Sequence, residues 1–200
     1  MADTLRPRTS DLLRGLAEAA PERVSLAMIA GALEDRGFGI VVLCLALPNA
    51  FPGPYIPGLS TLLALPIVWM GLQLVLGRRR APLPAFLGRV SFSRSRFVGF
   101  VNRATPWIVW VERQLKPRPS WLTRGAGLRS LGGMLILLAA LMAVPIPFGN
   151  IPLGLSIAML ALGLIEEDSR ALAVGLAAGV VGGLWQLFLG TIGFRVIDNL

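Results

Sequence analysis

The residues of this chain that could do chemistry are few, and most of them are uncharged. Two proline- and glycine-rich stretches carry them. The first is Leu47-Pro48-Asn49-Ala50-Phe51-Pro52-Gly53-Pro54-Tyr55-Ile56-Pro57-Gly58-Leu59-Ser60, followed by Thr61. The second is Ala143-Val144-Pro145-Ile146-Pro147-Phe148-Gly149-Asn150-Ile151-Pro152-Leu153-Gly154-Leu155-Ser156. Proline lacks an N–H and costs a helix interior roughly 3 kcal/mol, so each stretch interrupts a helix and leaves N–H and C=O groups unpaired at its ends. Asn49, Tyr55, Ser60, Thr61, Asn150 and Ser156, with Gln73 in the next apolar run, add neutral hydrogen-bonding side chains to those ends. Together they could hold a small solute. The charged contacts of the same site would come from Glu112, among tryptophans and arginines, with the turn Glu166-Glu167-Asp168, whose carboxylates suit a cation.

Plainer readings stand beside these. The prolines could simply turn the chain between helices, Gln73 could bond a neighbouring helix, and Glu112 could pair with Arg113, Lys116 or Arg118. With no histidine in the chain, His-based metal sites, Ser-His-Asp triads and His proton relays are excluded. The single Cys44 allows no internal disulfide and reads as a small hydrophobe. No cofactor is expected, and no matched carboxylate pair or metal cluster supports an enzyme.

The elements that must position these groups follow from composition. The chain has 200 residues, 54% hydrophobic and only 15% charged, with a mean hydropathy of +0.69. Residues 37–77, 130–165 and 171–194 contain no Asp, Glu, Lys or Arg. Since about 20 apolar residues span a bilayer, this is an all-α polytopic membrane protein: the last run suits one helix and the first two suit a pair each. The start of the chain reads as no cleaved signal peptide. Residues 10–36 form an amphipathic region capped by Ser10 or Asp11 and divided at Pro21, with Leu12, Leu13, Leu16, Ala19 and Ala20 on its apolar side. A short helix of about 16 Å over residues 37–47 ends at Pro48, half way through the core. A second, capped by Ser60 or Thr61 and with Pro66 in its first turns, runs to Gly77. Residues 97–115 suit a shallow interfacial helix or one inserted against the bundle. Helices over 128–144, 151–165 and 170–194 complete the chain.

The net charge of +8 is concentrated between Arg78 and Arg129, where twelve basic residues face one acidic one, Glu112. In a chain this apolar, such a block sets topology and meets anionic lipid, and no nucleic-acid partner is expected. Small-xxx-small spacings, Gly175 to Gly179 and Gly179 to Gly183, permit close packing and favour a homodimer through the last helix.

The two breaks also echo each other. Leu45-Ala46-Leu47-Pro48 matches Met142-Ala143-Val144-Pro145, and Ile56-Pro57-Gly58-Leu59-Ser60 matches Ile151-Pro152-Leu153-Gly154-Leu155-Ser156 with a one-residue shift. One membrane domain over 1–200 is therefore read as an internal duplication, about 10–96 and 97–200, each half holding a re-entrant or discontinuous helix pair. Whether the halves form an inverted repeat depends on the crossings between them; the acidic turn at 166–168 beside the basic centre hints at opposite sides.

Taken together, Glu34-Asp35-Arg36-Gly37-Phe38-Gly39, Leu47-Pro48-Asn49 with Pro57-Gly58-Leu59-Ser60-Thr61, Gln73 to Arg78, Glu112 with Pro117-Arg118, and Pro145 to Asn150 with Leu162-Gly163-Leu164 resemble the ExoD family. The resemblance implies a small multi-pass protein of the bacterial inner membrane linked to exopolysaccharide synthesis. Where the family has an acidic residue and Asp-Gly after Leu164, this chain has Glu167-Asp168-Ser169, which puts the sharp turn in question. The leading expectation is transport of a small solute, a cationic or zwitterionic amino acid such as arginine. The alternative is a non-transporting scaffold or regulator of exopolysaccharide synthesis.

Overall fold

The structure is a computed structural model that describes residues 9–33, 35–50, 58–78, 88–89, 91–144, 146 and 149–198. Tyr55, with the rest of residues 51–57, and Pro145, Pro147 and Phe148 lie outside the described residues. The chain is mostly helical. Its helices are α1 (Thr9–Glu18), α2 (Leu26–Ala32), α3 (Asp35–Ala50), α4 (Leu59–Val75), α5 (Arg94–Gln114), α6 (Gly125–Met142), α7 (Asn150–Ile165) and α8 (Ser169–Asp198), with a 3-10 turn at Trp121–Thr123. Two strands, β1 (Arg23–Ser25) and β2 (Ser91–Ser93), pair antiparallel with Val24 opposite Phe92. These strands depart from the helical reading of residues 10–36; three residues are too few to show a period, and the pairing comes from far along the chain.

Two separate cores follow from two kinds of apolar pattern. Leu13, Ala17 and Ala20 lie along one side of the α1 segment and pack with Val24, Leu33, Phe97 and Val101, so α1, β1 and α5 form an outer layer. Ala17 takes the buried place expected of Ala19, as the i, i+4 spacing from Leu13 requires. The larger core is built by α3, α4, α6, α7 and α8 around Val42, Ile67, Leu135, Leu153, Ile157 and Leu172. Helices α3, α4 and α7 are apolar on every side, the pattern of a helix enclosed in a large core or in a membrane. Large side chains such as Leu62, Leu65, Trp69, Val181, Leu184 and Phe188 accordingly point outward.

The helix directions are set by where backbones touch. Antiparallel α4 and α6 cross at paired glycines: a Cβ on Gly71 would lie 2.9 Å from Gly132 O, and one on Gly132 would lie 2.7 Å from Gly71 O. Antiparallel α3 and α7 meet where Gly154 abuts the backbone of Asn49, leaving no room for a side chain. In α8, Gly175 meets Leu160 and Gly182 meets Pro152, so α8 runs antiparallel to α7; Gly179 against Leu138 and Gly183 against Leu141 make it parallel to α6. Hence α3 and α6 point the same way, and so do α4 and α7. The matched segments are parallel, not inverted. The small-residue face expected to dimerise is instead used within the chain, against α7 and α6.

Helix boundaries correct three further expectations. Helix α3 does not stop at Pro48 but runs on to Ala50, because a proline in the last turn removes one hydrogen bond only. Its 16 residues span about 24 Å, against the expected 16 Å. Pro66 sits well inside α4, and that helix is preceded by Gly58 in the left-handed conformation (φ 83°), so neither Ser60 nor Thr61 caps it. Finally, the turn after α7 closes without glycine: Glu167 itself takes φ 51°.

By length and composition, two helices could cross a membrane, Gly125–Met142 and Ser169–Ile192, while Arg36–Ala50, Leu59–Val75 and Asn150–Ile165 are shorter apolar helices.

Candidate functional site: a junction of four helix ends

The polar residues separate into two groups at opposite ends of α7, a helix of 16 residues and so about 24 Å long. At one end the C-termini of α3 and α6 meet the N-termini of α4 and α7. Asn49, in the last turn of α3, is 7% exposed, and its Oδ1 accepts from Ser60 Oγ at 2.6 Å. Thr61 Oγ1 donates to Ala143 O at 2.8 Å, joining the first turn of α4 to the end of α6. Gln186 on α8, 2% exposed, donates from Nε2 to Leu141 O and Val144 O, both at 3.2 Å, and lies 3.5 Å from Asn150 Oδ1. Side chains of α4 and α8 thus bond the carbonyls at the end of α6, where Leu141 O and Val144 O also accept from Val144 N and Ile146 N. Two buried polar atoms here have no hydrogen-bond partner among the described residues, Asn49 Nδ2 and Gln186 Oε1. Ser156 lies deeper and donates to Gly175 O at 2.8 Å, a bond between α7 and α8.

The other end carries the charge. Glu112, at the end of α5, accepts from the backbone N–H and the hydroxyl of Ser10, each at 2.8 Å. A carboxylate at the N-terminus of α1 answers the unpaired N–H groups and positive dipole end there. Glu166 Oε1 accepts from Thr9 Oγ1 at 3.1 Å, and Arg36 reaches the same hydroxyl. Asp168, 1% exposed, accepts from Lys116 N at 3.0 Å, Arg170 N at 2.8 Å and Arg118 Nη1 at 3.4 Å. Burial alone would raise its pKa; the backbone donors of Lys116 and Arg170 and the Arg118 guanidinium outweigh it and hold the carboxyl below its ordinary value. Gln73, buried in α4, belongs to this half of the bundle; its carbonyl accepts from Arg78 N.

The structure therefore brings Asn49, Ser60, Thr61 and Asn150 together and sets Glu112, Glu166 and Asp168 apart from them. Gln186 was missed from sequence. It is a lone amide in a charge-free run, the same signal that singles out Gln73. A groove of about 1110 Å³ between α1 and α5, lined by Arg14, Glu18, Glu22, Arg94 and Asn102 among others, shares no residue with either group. Among the described residues, no three His, Cys, Asp or Glu side chains are placed to hold a metal ion.

A family model described as "Exopolysaccharide synthesis, ExoD" matches residues 9–188, from the first residue of α1 to just past Gln186. The chain belongs to the ExoD family. Both polar groups fall within the matched region. Among curated relatives of this ExoD-family chain, an uncharacterized protein of Synechocystis, slr1875, is 30% identical over 184 residues, covering 88% of this chain and 85% of the relative. Protein ExoD of Rhizobium meliloti is 27% identical over 194 residues, covering 94% and 76%. No solved structure matches.

Proposed function

We propose that this ExoD-family chain is a multi-pass protein of the bacterial inner membrane that binds and passes a small solute at the junction of the four helix ends, in a cell process connected with exopolysaccharide synthesis. The single observation that carries the reading is the pair of buried polar atoms at that junction, Asn49 Nδ2 and Gln186 Oε1, that have no partner among the described residues. Leaving such groups unpaired costs about 1–3 kcal/mol each, so a folded chain keeps them where something else supplies the partner.

The membrane reading is supported by the outward apolar faces of α4 and α8 and by the charge-free runs. Most of the basic and acidic residues gather at one end of the bundle, Arg195 in the last turn of α8 lying at the other. With α8 crossing a core about 30 Å thick, the α3–α4 and α6–α7 hairpins run across it from one face and back. Their shared direction suits a duplication related by rotation about the bundle axis. Irregular backbone at that depth is tolerated where it is enclosed by protein or lines a wet cavity. A preference for arginine or another cation finds little support, because Glu112, Glu166 and Asp168 stand a helix length away and hold parts of this chain.

Reconstituted in liposomes, the protein should give saturable uptake and counterflow for a solute in a panel of small anions, zwitterions and cations, with Asn49→Ala and Gln186→Ala impaired. Rates equal to those of empty liposomes across the panel would remove the transport reading. Co-purification of synthesis enzymes in that case would favour the scaffold.

A further inference from the structure

We infer that the outward side of α5 is a docking surface for the headgroups of anionic phospholipid, so that α5 lies along the bilayer surface instead of crossing it; this rests on the membrane reading above. The helix is sorted into two sides. Phe97, Val101 and Thr105 are buried, and Phe97, Val101 and Ile108 pack with the apolar residues of α1 and β1. Arg96, Phe100, Arg103 and Trp110 recur four, three and seven residues apart, so they share the opposite side. All four are exposed, Phe100 by 61% and Trp110 by 57%.

A lone exposed ring needs no explanation, but rings and guanidinium groups sharing about 21 Å of one helix side fit a particular partner. That partner is negatively charged at its surface and apolar just beneath. Tryptophan settles at headgroup level, phenylalanine reaches the acyl boundary, and arginine meets lipid phosphate with paired donors. The charges are sorted to match. Among the described residues neither Arg96 nor Arg103 forms an ion pair. The carboxylates of this layer are turned elsewhere: Glu112 accepts from Ser10, while Glu18 and Glu22 line the groove between α1 and α5. The row itself carries positive charge alone.

Its place in the fold agrees. The bonds from Thr9 to Glu166 and from Lys116 to Asp168 fix the outer layer at the charged end of the bundle, beyond the charge-free runs. Trp121, 71% exposed, and the exposed Arg124 continue the same composition where the chain enters α6. A crossing orientation would instead carry Arg103, near the middle of the 21-residue helix, into hydrocarbon with no partner on its side.

The test uses the full chain with the exposed Cys44 changed to Ser and a single cysteine introduced as Phe100→Cys or, on the outward face of α8, as Val181→Cys. Each is labelled with a fluorophore in nanodiscs of phosphatidylcholine, alone or mixed equally with phosphatidylglycerol. Quenching by lipids spin-labelled at headgroup depth or at the bilayer centre is compared with quenching by aqueous acrylamide. At position 100, quenching from headgroup depth is expected, at least about twofold stronger with phosphatidylglycerol, and Arg96→Gln combined with Arg103→Gln should abolish that difference. Both arginines are exposed, so the double variant keeps the packing of α5. Quenching by acrylamide alone in both lipid mixtures, strongest quenching from the bilayer centre, no dependence on phosphatidylglycerol, or a dependence unchanged in the double variant would overturn the assignment. Lipid contact at position 181 with water contact at position 100 removes this surface, leaving its arginines to an acidic soluble partner, and keeps the membrane reading; water contact at position 181 with lipid contact at position 100 does the reverse.

Discussion

Gln186 offers the sharpest test of how the junction is held. Its Nε2 serves Leu141 O and Val144 O at the end of α6, so Gln186→Ala removes two interhelical hydrogen bonds together. Each carbonyl keeps a backbone donor, Val144 N for Leu141 O and Ile146 N for Val144 O, so the loss of about 6 kcal/mol that two orphaned carbonyls would bring does not apply. Hydrogen bonds between membrane helices contribute less, about 0.6 kcal/mol on average and about 1.7 at most, because the separated helices also find partners. The second figure governs here, and the expected loss is about 1–3 kcal/mol. Unfolding in mixed detergent and dodecyl sulfate, followed by tryptophan fluorescence, would measure it. Gly149 supplies an internal control, since a Cβ there would run into Gln186 Oε1. Gly149→Ala should therefore be costly in the native chain and nearly free once Gln186 is Ala, so the two changes are strongly non-additive. Additive losses, or a Gln186→Ala chain as stable as its parent, would refute the claim that this amide ties α6, α7 and α8 together.

Three further outcomes concern the charged end. Asp168 has its pKa lowered by its partners, so the stability it contributes is fully present above the ordinary Asp value of about 3.9 and is lost as pH falls through the lower folded value. Asp168→Asn should then lower the melting temperature at pH 7 and flatten the acid limb of a melting-temperature profile; an unchanged limb would contradict this. Glu167→Gly relieves a left-handed non-glycine residue worth about 1–2 kcal/mol, less about 0.5–1 for added chain freedom, giving a net gain of about 0.5 kcal/mol that denaturant unfolding can resolve. A net loss would show that the Glu167 side chain matters more than the turn. Glu112→Gln should weaken the hold on α1 by about 1 kcal/mol and speed its hydrogen exchange, while leaving solute uptake through the junction unchanged. Weakened uptake in that variant would join the two polar groups that the fold separates.

The long apolar helices were legible because composition alone dictates them: a charge-free run of that length has no other stable form in lipid. Their ends were less so. Pro48 reads as a stop, yet only one hydrogen bond is at stake in a final turn, and α3 continues to Ala50. Strands β1 and β2 left no local trace, since three residues per strand are stabilised by a partner some seventy positions away. The single site that sequence suggested, with neutral breaks and carboxylates together, fails on one helix length. Asn150 begins α7 and Glu166 follows its end, so a straight helix of 16 residues keeps them about 24 Å apart. That distance changes the chemistry available. A site with carboxylates would select a cation by full charges, whereas a junction with none must select by helix ends and amides. Such a junction has no Asp, Glu, Lys or Arg in residues 37–77, 130–165 or 171–194 whose protonation could switch it. Binding at the junction should accordingly stay constant between about pH 5 and pH 8 for a solute that does not itself titrate there, a range in which neither amides nor backbone N–H groups change charge. A titration midpoint inside that range would mean that a carboxylate of the charged end reaches the junction after all.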